Sequence, residues 1–185
     1  MTPTKQALRT RYRALRHTRN DAAICEALRA VVLDTVGIDA GAKHLGLYWP
    51  LSGETDWRPL LPQLKGQPLA LPSADGQGGL RYHAWQGEAL VPDGCGILAP
   101  LEQPVLSPAD MALLLVPALA VDHDGIRLGY GGGYYDRLRA DPRWQQVPAV
   151  AVVCAGGISS APLPRDPWDR PFDGWVSEAG VQWRH

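Results

Sequence analysis

The sequence predicts an α/β domain built on a largely parallel central sheet, and three observations carry that prediction. Met111-Ala-Leu-Leu-Leu-Val116 and Val147-Pro-Ala-Val-Ala-Val-Val-Cys154 are apolar runs of the kind found in strands buried on both faces. Segments with strand character are interleaved with segments of helical periodicity, which favours a layered α/β domain over an all-β one. The 185 residues suit one domain (1–185) with a single substantial core, and no repeat or low-complexity tract divides them. Strand order does not follow from the sequence.

Each element has its own local reason. Residues 4–16 predict an amphipathic helix, with Leu8, Tyr12 and Leu15 on one face and Lys5, Arg9, Arg13 and Arg16 on another stripe. A second helix is expected from about Asp21 to Thr35, carrying Ile24, Leu28, Val31 and Val32, with Asn20 as N-cap and Gly37 as the stop. His44 to Trp49 reads as a strand ending at Pro50, and Thr55 to Leu64 as a short helix. Strands follow at Pro68–Leu71 and Leu80–Ala84, then a turn-rich stretch from Glu88 to Pro108. After the first buried run come a turn at Asp124-Gly125, a glycine-rich loop and a helix through Tyr135 to Leu138; Trp175 to Ser177 closes the pattern as a last strand.

Composition narrows the function. The longest apolar stretch, Met111 to Val121, is broken by Pro117 and falls short of the roughly 18 residues that span a bilayer. The opening Met-Thr-Pro-Thr-Lys lacks the apolar core of a secretory signal. Three cysteines, Cys25, Cys95 and Cys154, without CxxC spacing, argue against a disulfide framework or a cysteine-rich zinc site and suit the cytoplasm. A formal net charge of −1 gives no general nucleic-acid or membrane footprint. Locally the balance differs. Lys5, Arg9, Arg11, Arg13, Arg16 and Arg19 lie in a stretch of twenty residues with no acid, which points to a local anionic partner.

The most informative stretch runs from Asp122 through Gly125 to Arg127-Leu-Gly-Tyr-Gly-Gly-Gly-Tyr-Tyr-Asp-Arg137. Glycines let backbone approach a ligand closely, and a loop that opens a helix turns its N–H groups and the helix dipole toward negative charge. The Walker pattern is absent, and Tyr134 occupies the last position of a would-be GxGxxG, so neither common nucleotide loop fits. Arg127 and Arg137 suit phosphate charge, and Asp136 is a hard oxygen ligand suited to Mg²⁺. The competing reading is a glycine turn packed by Tyr134 and Tyr135. His17, His44, His83, His123 and His185 have no metal-ligand spacing, and no nucleophile–His–Asp arrangement is present.

This loop, preceded by Val116-Pro-Ala-Leu-Ala-Val-Asp122, resembles the signature of 5-formyltetrahydrofolate cyclo-ligases (5,10-methenyltetrahydrofolate synthetases). Three weaker blocks fall in the same order: Lys5-x-x-Leu8-Arg9, Trp49-Pro-Leu-Ser-Gly-Glu54-Thr-Asp56, and Asp169-Arg-Pro-Phe-Asp173-Gly-Trp-Val-Ser-Glu178. The resemblance implies a three-layer α/β/α domain that uses ATP and Mg²⁺ to convert 5-formyltetrahydrofolate to 5,10-methenyltetrahydrofolate, with ADP and phosphate released. It implies ATP binding by Lys5, Arg9, Arg127, Leu128, Gly129, Tyr130, Gly131, Gly132, Gly133, Tyr134 and Tyr135. Folate would meet Pro50, Glu54 and the stretch from Tyr130 to Tyr134, with the Glu54 carboxylate accepting hydrogen bonds from the pterin. Asp136 and Asp169 are similar to the family's Mg²⁺ ligands.

Alternatives stay open at several of these positions: Asp136 as a helix cap, Asp166 or Asp173 in place of Asp169, Trp49 as core packing, and Arg13 and Arg16 as solvated or structural. Some relatives carry a basic residue where this chain has Tyr130 or Gly132, which leaves open the cation facing the transferred phosphoryl. Two rivals remain, another α/β enzyme with a catalytic Glu or His beside the loop, and a non-catalytic binding protein with basic tails. Neither nucleic acid nor membrane is an expected partner, and a monomer is expected.

Overall fold

The chain alternates helix and strand as the sequence periodicity predicts, in a computed structural model that describes residues 3–36 and 43–184. Helices α1 (Lys5–Leu15) and α2 (Asp21–Val36) precede strand β1 (His44–Gly46). Strands β2 (Leu69–Ala74) and β3 (Leu80–Trp85) form a hairpin, and the turn-rich stretch holds β4 (Val91–Pro92) and β5 (Leu98–Ala99). Strand β6 (Met111–Pro117) leads to β7 (Ala120–Asp122), β8 (Arg127–Leu128), the glycine loop, and two short helices, α3 (Tyr134–Leu138) and α4 (Pro142–Gln145). Strands β9 (Ala149–Val152), β10 (Ile158–Ser159), β11 (Gly174–Ser177) and β12 (Gly180–Trp183) follow.

The main sheet has seven strands in the order β12-β11-β9-β6-β1-β2-β3. Pairing is parallel from β11 through β9, β6 and β1 to β2, and antiparallel at the two edges. Along the parallel part, the chain winds first from β1 to β2 and then back past β1 to β6, β9 and β11. The direction of winding therefore reverses between β1 and β6. In open α/β sheets the crevice at such a reversal, beyond the carboxyl ends of the strands, is where ligands bind.

Alternation along β6 assigns the two faces. Leu113 and Leu115 pack with Ile24, Leu28 and Val31 of α2, whereas Leu114 and Val116 pack with Leu138 and Trp144 of the short helices. These are the three layers that the resemblance implied. A third, smaller cluster joins Leu8 and Tyr12 of α1 to Leu119, Ala120, Ile126 and Leu128 around the small sheet β10-β7-β8. That contact matters for function, because it lays the cationic stripe of α1 beside the glycine loop. The Thr4 hydroxyl caps α1 by accepting from the Ala7 amide (3.2 Å), and Asn20 Oδ1 accepts from the Ala23 amide near the start of α2 (3.2 Å), as its sequence position predicts.

Three expectations need correction. Thr55 to Leu64 contains only a 3₁₀ turn at Arg58–Leu60. Pro59 and Pro62 remove backbone donors there, and the Trp57 indole, donating to the Tyr48 carbonyl at 2.6 Å, ties the segment to the exit of β1. Strand β12 was not expected; it continues the sheet beyond Trp175–Ser177 as an antiparallel edge. The strand predicted over His44–Trp49 has ladder geometry only to Gly46. The expected stop at Gly37 lies outside the described residues. No helix among the described residues is long and apolar enough to cross a membrane.

Candidate active site

A cleft of about 390 Å³ opens at the winding reversal, within the usual size range of small-molecule sites. Its floor is made by what leaves the carboxyl ends of the strands: Tyr48, Trp49, Leu51 and Glu54 after β1, Pro72 and Ala74 at the end of β2, and Pro117 at the end of β6. The stretch from Arg127 to Asp136 forms one wall, and Lys5 and Arg9 of α1 reach in from the side.

The glycine loop presents donors, not side-chain bulk. Among the described residues, the backbone amides from Tyr130 to Gly133 have no protein acceptor. Tyr130 and Gly133 are half-buried and Gly131 and Gly132 exposed, so these amides are open to water or a ligand. Gly131 sits at φ +113°, a region closed to side-chain-bearing residues, so this exposure of the backbone depends on glycine. The loop is held from behind. Arg9 Nε donates to the Gly129 carbonyl (3.0 Å), and Arg137 Nε donates to the Gly78 carbonyl of the β2–β3 turn (2.8 Å). Arg137 also donates to the Gly132 carbonyl and covers the Tyr134 ring; it is a strut of the loop and does not line the cleft.

Arg127 lines the cleft, yet both of its terminal nitrogens donate to the protein. Nη1 donates to the Pro117 carbonyl (3.2 Å) and Nη2 to Asp136 Oδ1 (3.1 Å). Its guanidinium lies 5.4 Å from the centres of both the Tyr135 and Phe172 rings, with the side chain only 5% exposed. Arg127 therefore pins the loop to the end of β6 and fixes Asp136. Leu128 has its side chain in the small apolar cluster under α1.

Lys5 sits between two carboxylates, 2.6 Å from Oδ2 of Asp166 and 2.6 Å from Oδ2 of Asp169. Burial alone would lower its ammonium, but the two carboxylates outweigh that and raise it, so Lys5 is a firm cation. Asp169 Oδ2 also accepts from the Asp166 amide (2.8 Å), while Asp169 Oδ1 and Asp136 Oδ2 have no hydrogen-bond partner among the described residues. Two cleft carboxylates, each with a spare oxygen, match a Mg²⁺ shell completed by phosphate and water. No group of three or more His, Cys, Asp or Glu suited to hold a metal by themselves occurs among the described residues.

Glu54 is buried in the floor of the same cleft. Its Oε2 accepts from the Leu51 amide at 2.9 Å. Burial pushes its carboxyl above the ordinary range, and the Leu51 amide, the Arg16 charge, the Tyr130 hydroxyl and Arg127 offset this only in part. Burial likewise pushes the Tyr130 and Tyr135 phenols up, so both are neutral donors. Tyr48 fastens the segment through its hydroxyl, which donates to the Thr55 carbonyl (2.9 Å).

The cleft thus brings together the sequence-predicted site residues except Arg137 and Pro50; Pro50 is absent from its lining while both neighbours, Trp49 and Leu51, take part. Trp49 both lines the cleft and packs at right angles on Trp85, 6.3 Å between ring centres, so its two readings are compatible. Asp166 and Asp169 share Lys5, and Asp173 lies elsewhere, accepting from the Ala149 amide (2.8 Å). Sequence reasoning missed the wall made by Pro72, Ala74, Leu80, Asp93, Cys95 and Ile97, and it missed Trp168, which lies at the rim with 59% of its surface exposed. Only strand order would have revealed that wall. Trp168 carried a weaker signal, as an apolar residue between two cleft aspartates.

Comparison with known proteins gives a consistent answer. The profile of the 5-formyltetrahydrofolate cyclo-ligase family matches residues 1–178. A 5-formyltetrahydrofolate cyclo-ligase of Escherichia coli (strain K12) is 33% identical over 150 residues, which is 76% of this chain and 80% of that protein. Among solved structures, a 5,10-methenyltetrahydrofolate synthetase of Aquifex aeolicus superposes with a TM-score of 0.76 at 28% identity, covering 98% of this chain and 93% of that one. A second, from Mycoplasma pneumoniae, has the same fold, with a TM-score of 0.71 at 20% identity over 94% of this chain and 98% of that one.

Proposed function

The chain belongs to the 5-formyltetrahydrofolate cyclo-ligase family, and from that membership we propose how its cleft carries out the reaction. The enzyme converts 5-formyltetrahydrofolate and ATP to 5,10-methenyltetrahydrofolate, ADP and phosphate. A formamide oxygen is a poor leaving group. Attack of that oxygen on the γ-phosphorus breaks the bond to ADP and turns the oxygen into a phosphate ester. N10 then attacks the formyl carbon, the ring closes, and the carbon–oxygen bond breaks, the departing phosphate carrying away the proton lost from N10. Phosphoryl transfer of this kind asks a protein mainly for positioning and charge neutralisation.

The single observation that carries this reading is the meeting, in one cleft, of unpaired loop amides with Lys5 and Arg9 on one side and a buried carboxylate on the other. Lys5, Arg9 and the amides from Tyr130 to Gly133 hold the triphosphate. Glu54 accepts hydrogen bonds from the pterin amino and ring N–H groups, and Tyr130 lies between the two substrates. Arg127 holds the loop and Asp136 in place. Asp136 and Asp169 are the residues that would hold Mg²⁺, which neutralises phosphate charge when bound. Three free thiols suit the cytoplasm.

The test is spectroscopic. Purified protein mixed with 5-formyltetrahydrofolate, ATP and Mg²⁺ should develop methenyl absorbance, and leaving out ATP should abolish the rise. No ATP-dependent rise, under conditions where the Escherichia coli protein is active, would refute the assignment.

A further inference from the structure

Arg16 ends the cationic stripe of α1, and its half-buried side chain turns part of its guanidinium inward. It lies 4.7 Å from the centre of the Tyr130 ring. It packs so close to Gly53, at φ +85°, that any Cβ there would collide with Nη1. Nη2 is fully buried and has no hydrogen-bond partner among the described residues. Arg16 also makes no direct salt bridge among the described residues. Behind the cleft, a cavity of about 10 Å³ is bounded by Arg16, Gly53, Glu54 and Tyr130, space for about one water. A cation with a buried nitrogen and no counter-ion is costly, and so is a buried carboxylate. Here the two line the same small cavity.

We propose that Arg16 is the positioning residue of the substrate pocket: its guanidinium, tucked under the Tyr130 ring, is the counter-charge that keeps Glu54 a carboxylate. The other groups facing Glu54 cannot replace it. Tyr48, Tyr130 and Tyr135 are neutral phenols, and Arg127 is already committed to Asp136. Arg19, on the far wall of the small cavity, is paired with Asp21 and donates to the Gly53 carbonyl. A pterin offers donors, so it is bound by the ionised carboxylate and lost on protonation. Arg16 thereby sets the acid limit of folate binding. This consequence rests on the reading that Glu54 receives the pterin; the charge pairing itself does not.

The experiment separates the two. Protein labelled with ¹³C at the glutamate carboxyls has five signals, from Glu26, Glu54, Glu88, Glu102 and Glu178, and Glu54→Gln identifies the one needed. In Arg16→Met the Glu54 midpoint should rise by about one pH unit or more, the low end for loss of a nearby opposite charge. Arg16→Lys should stay near the parent. If Arg16→Met does not fold, Arg16→Gln, neutral but still a donor into the small cavity, makes the same comparison. An unmoved midpoint in the neutral variant overturns the proposal. In parallel, KM for 5-formyltetrahydrofolate is followed against pH. Its acid limb should move up with the midpoint in Arg16→Met, by roughly tenfold in KM for each unit of midpoint shift once Glu54 is mostly protonated, while KM at high pH returns to the parent value. A KM raised equally at every pH would make Arg16 merely structural and overturn the proposal. A midpoint that moves while KM does not would leave the charge pairing standing and overturn the Glu54 reading instead.

Discussion

Replacing Arg127 by Met should cost stability before it costs nucleotide affinity, because the structure spends this guanidinium on the protein. Arg127→Met removes two charge-assisted hydrogen bonds, to the Pro117 carbonyl and to Asp136, and two ring contacts, to Tyr135 and Phe172. Bonds of that kind contribute about 1.5–3 kcal/mol each, and partly buried cation–ring contacts about 0.5–2 kcal/mol. Two features reduce the loss. Asp136 is 29% exposed, so water can take over its solvation, and the buried Nε of Arg127, which lacks a partner among the described residues, is no longer a burden once removed. The thioether side chain also keeps most of the apolar contact. A net loss of about 2–4 kcal/mol follows, equivalent to a melting temperature lower by roughly 5–15 °C for a chain of this length.

The assay is urea unfolding followed by tryptophan fluorescence and circular dichroism, run beside Arg9→Met, whose parent side chain makes one hydrogen bond, to the Gly129 carbonyl. Arg9→Met should lose less than about 1 kcal/mol of stability and mainly raise KM for ATP. An Arg127→Met protein that unfolds with the parent and differs only in KM for ATP would refute the reasoning: its guanidinium would then be a free phosphate ligand.

Two further outcomes follow from the same geometry. Asp169→Asn should shift the Mg²⁺ concentration needed for half-maximal activity upward by about tenfold or more, and Asp166→Asn much less, because Asp169 is the more buried of the two; equal shifts in both would refute the assignment of Asp169. Trp168, 59% exposed at the rim, should change its fluorescence when the cleft fills, so Trp168→Phe should lose most of the titration signal seen with ATP or folate, and an undiminished signal would place ligand binding away from this rim.

How much of this was legible in the sequence depended on range. The α1 stripe, the two buried strands and the glycine loop are written in contiguous residues, where periodicity or composition speaks directly. Lys5 and Arg9 were expected to face the same side, and both line the cleft. Leu113 to Val116 were expected to be covered on both faces, and they are. What the sequence did not give was pairing. The wall from Pro72 to Ile97 joins the site only because β2 lies beside β1, and Arg137 turns outward only because the β2–β3 turn offers it a carbonyl. The same holds for β12, too short for its alternation to register without β11 beside it. Thr55 to Leu64 misled for a local reason: its apolar spacing suits a helix, but two prolines and the Trp57–Tyr48 hydrogen bond impose a turn.

Range also explains why Arg16 was left undecided beside Arg13. The two are three residues apart in one cationic stripe, and nothing local separates them. Arg13 stays exposed, with a 3.5 Å contact to the Tyr130 carbonyl, whereas Arg16 is the residue at which the chain leaves α1 and its guanidinium turns under Tyr130. The difference is electrostatic in consequence. Lys5 is neutralised by Asp166 and Asp169, and Arg127 by Asp136, so on the proposed reading a triphosphate and its cation exchange partners with groups that are paired in the protein. Glu54 has no directly paired cation among the described residues, and the cation acting on it that is not already committed is Arg16. On the proposed reading, the nucleotide side of the cleft trades ion pairs, whereas the folate side holds one charge fixed with a cation set behind the pocket.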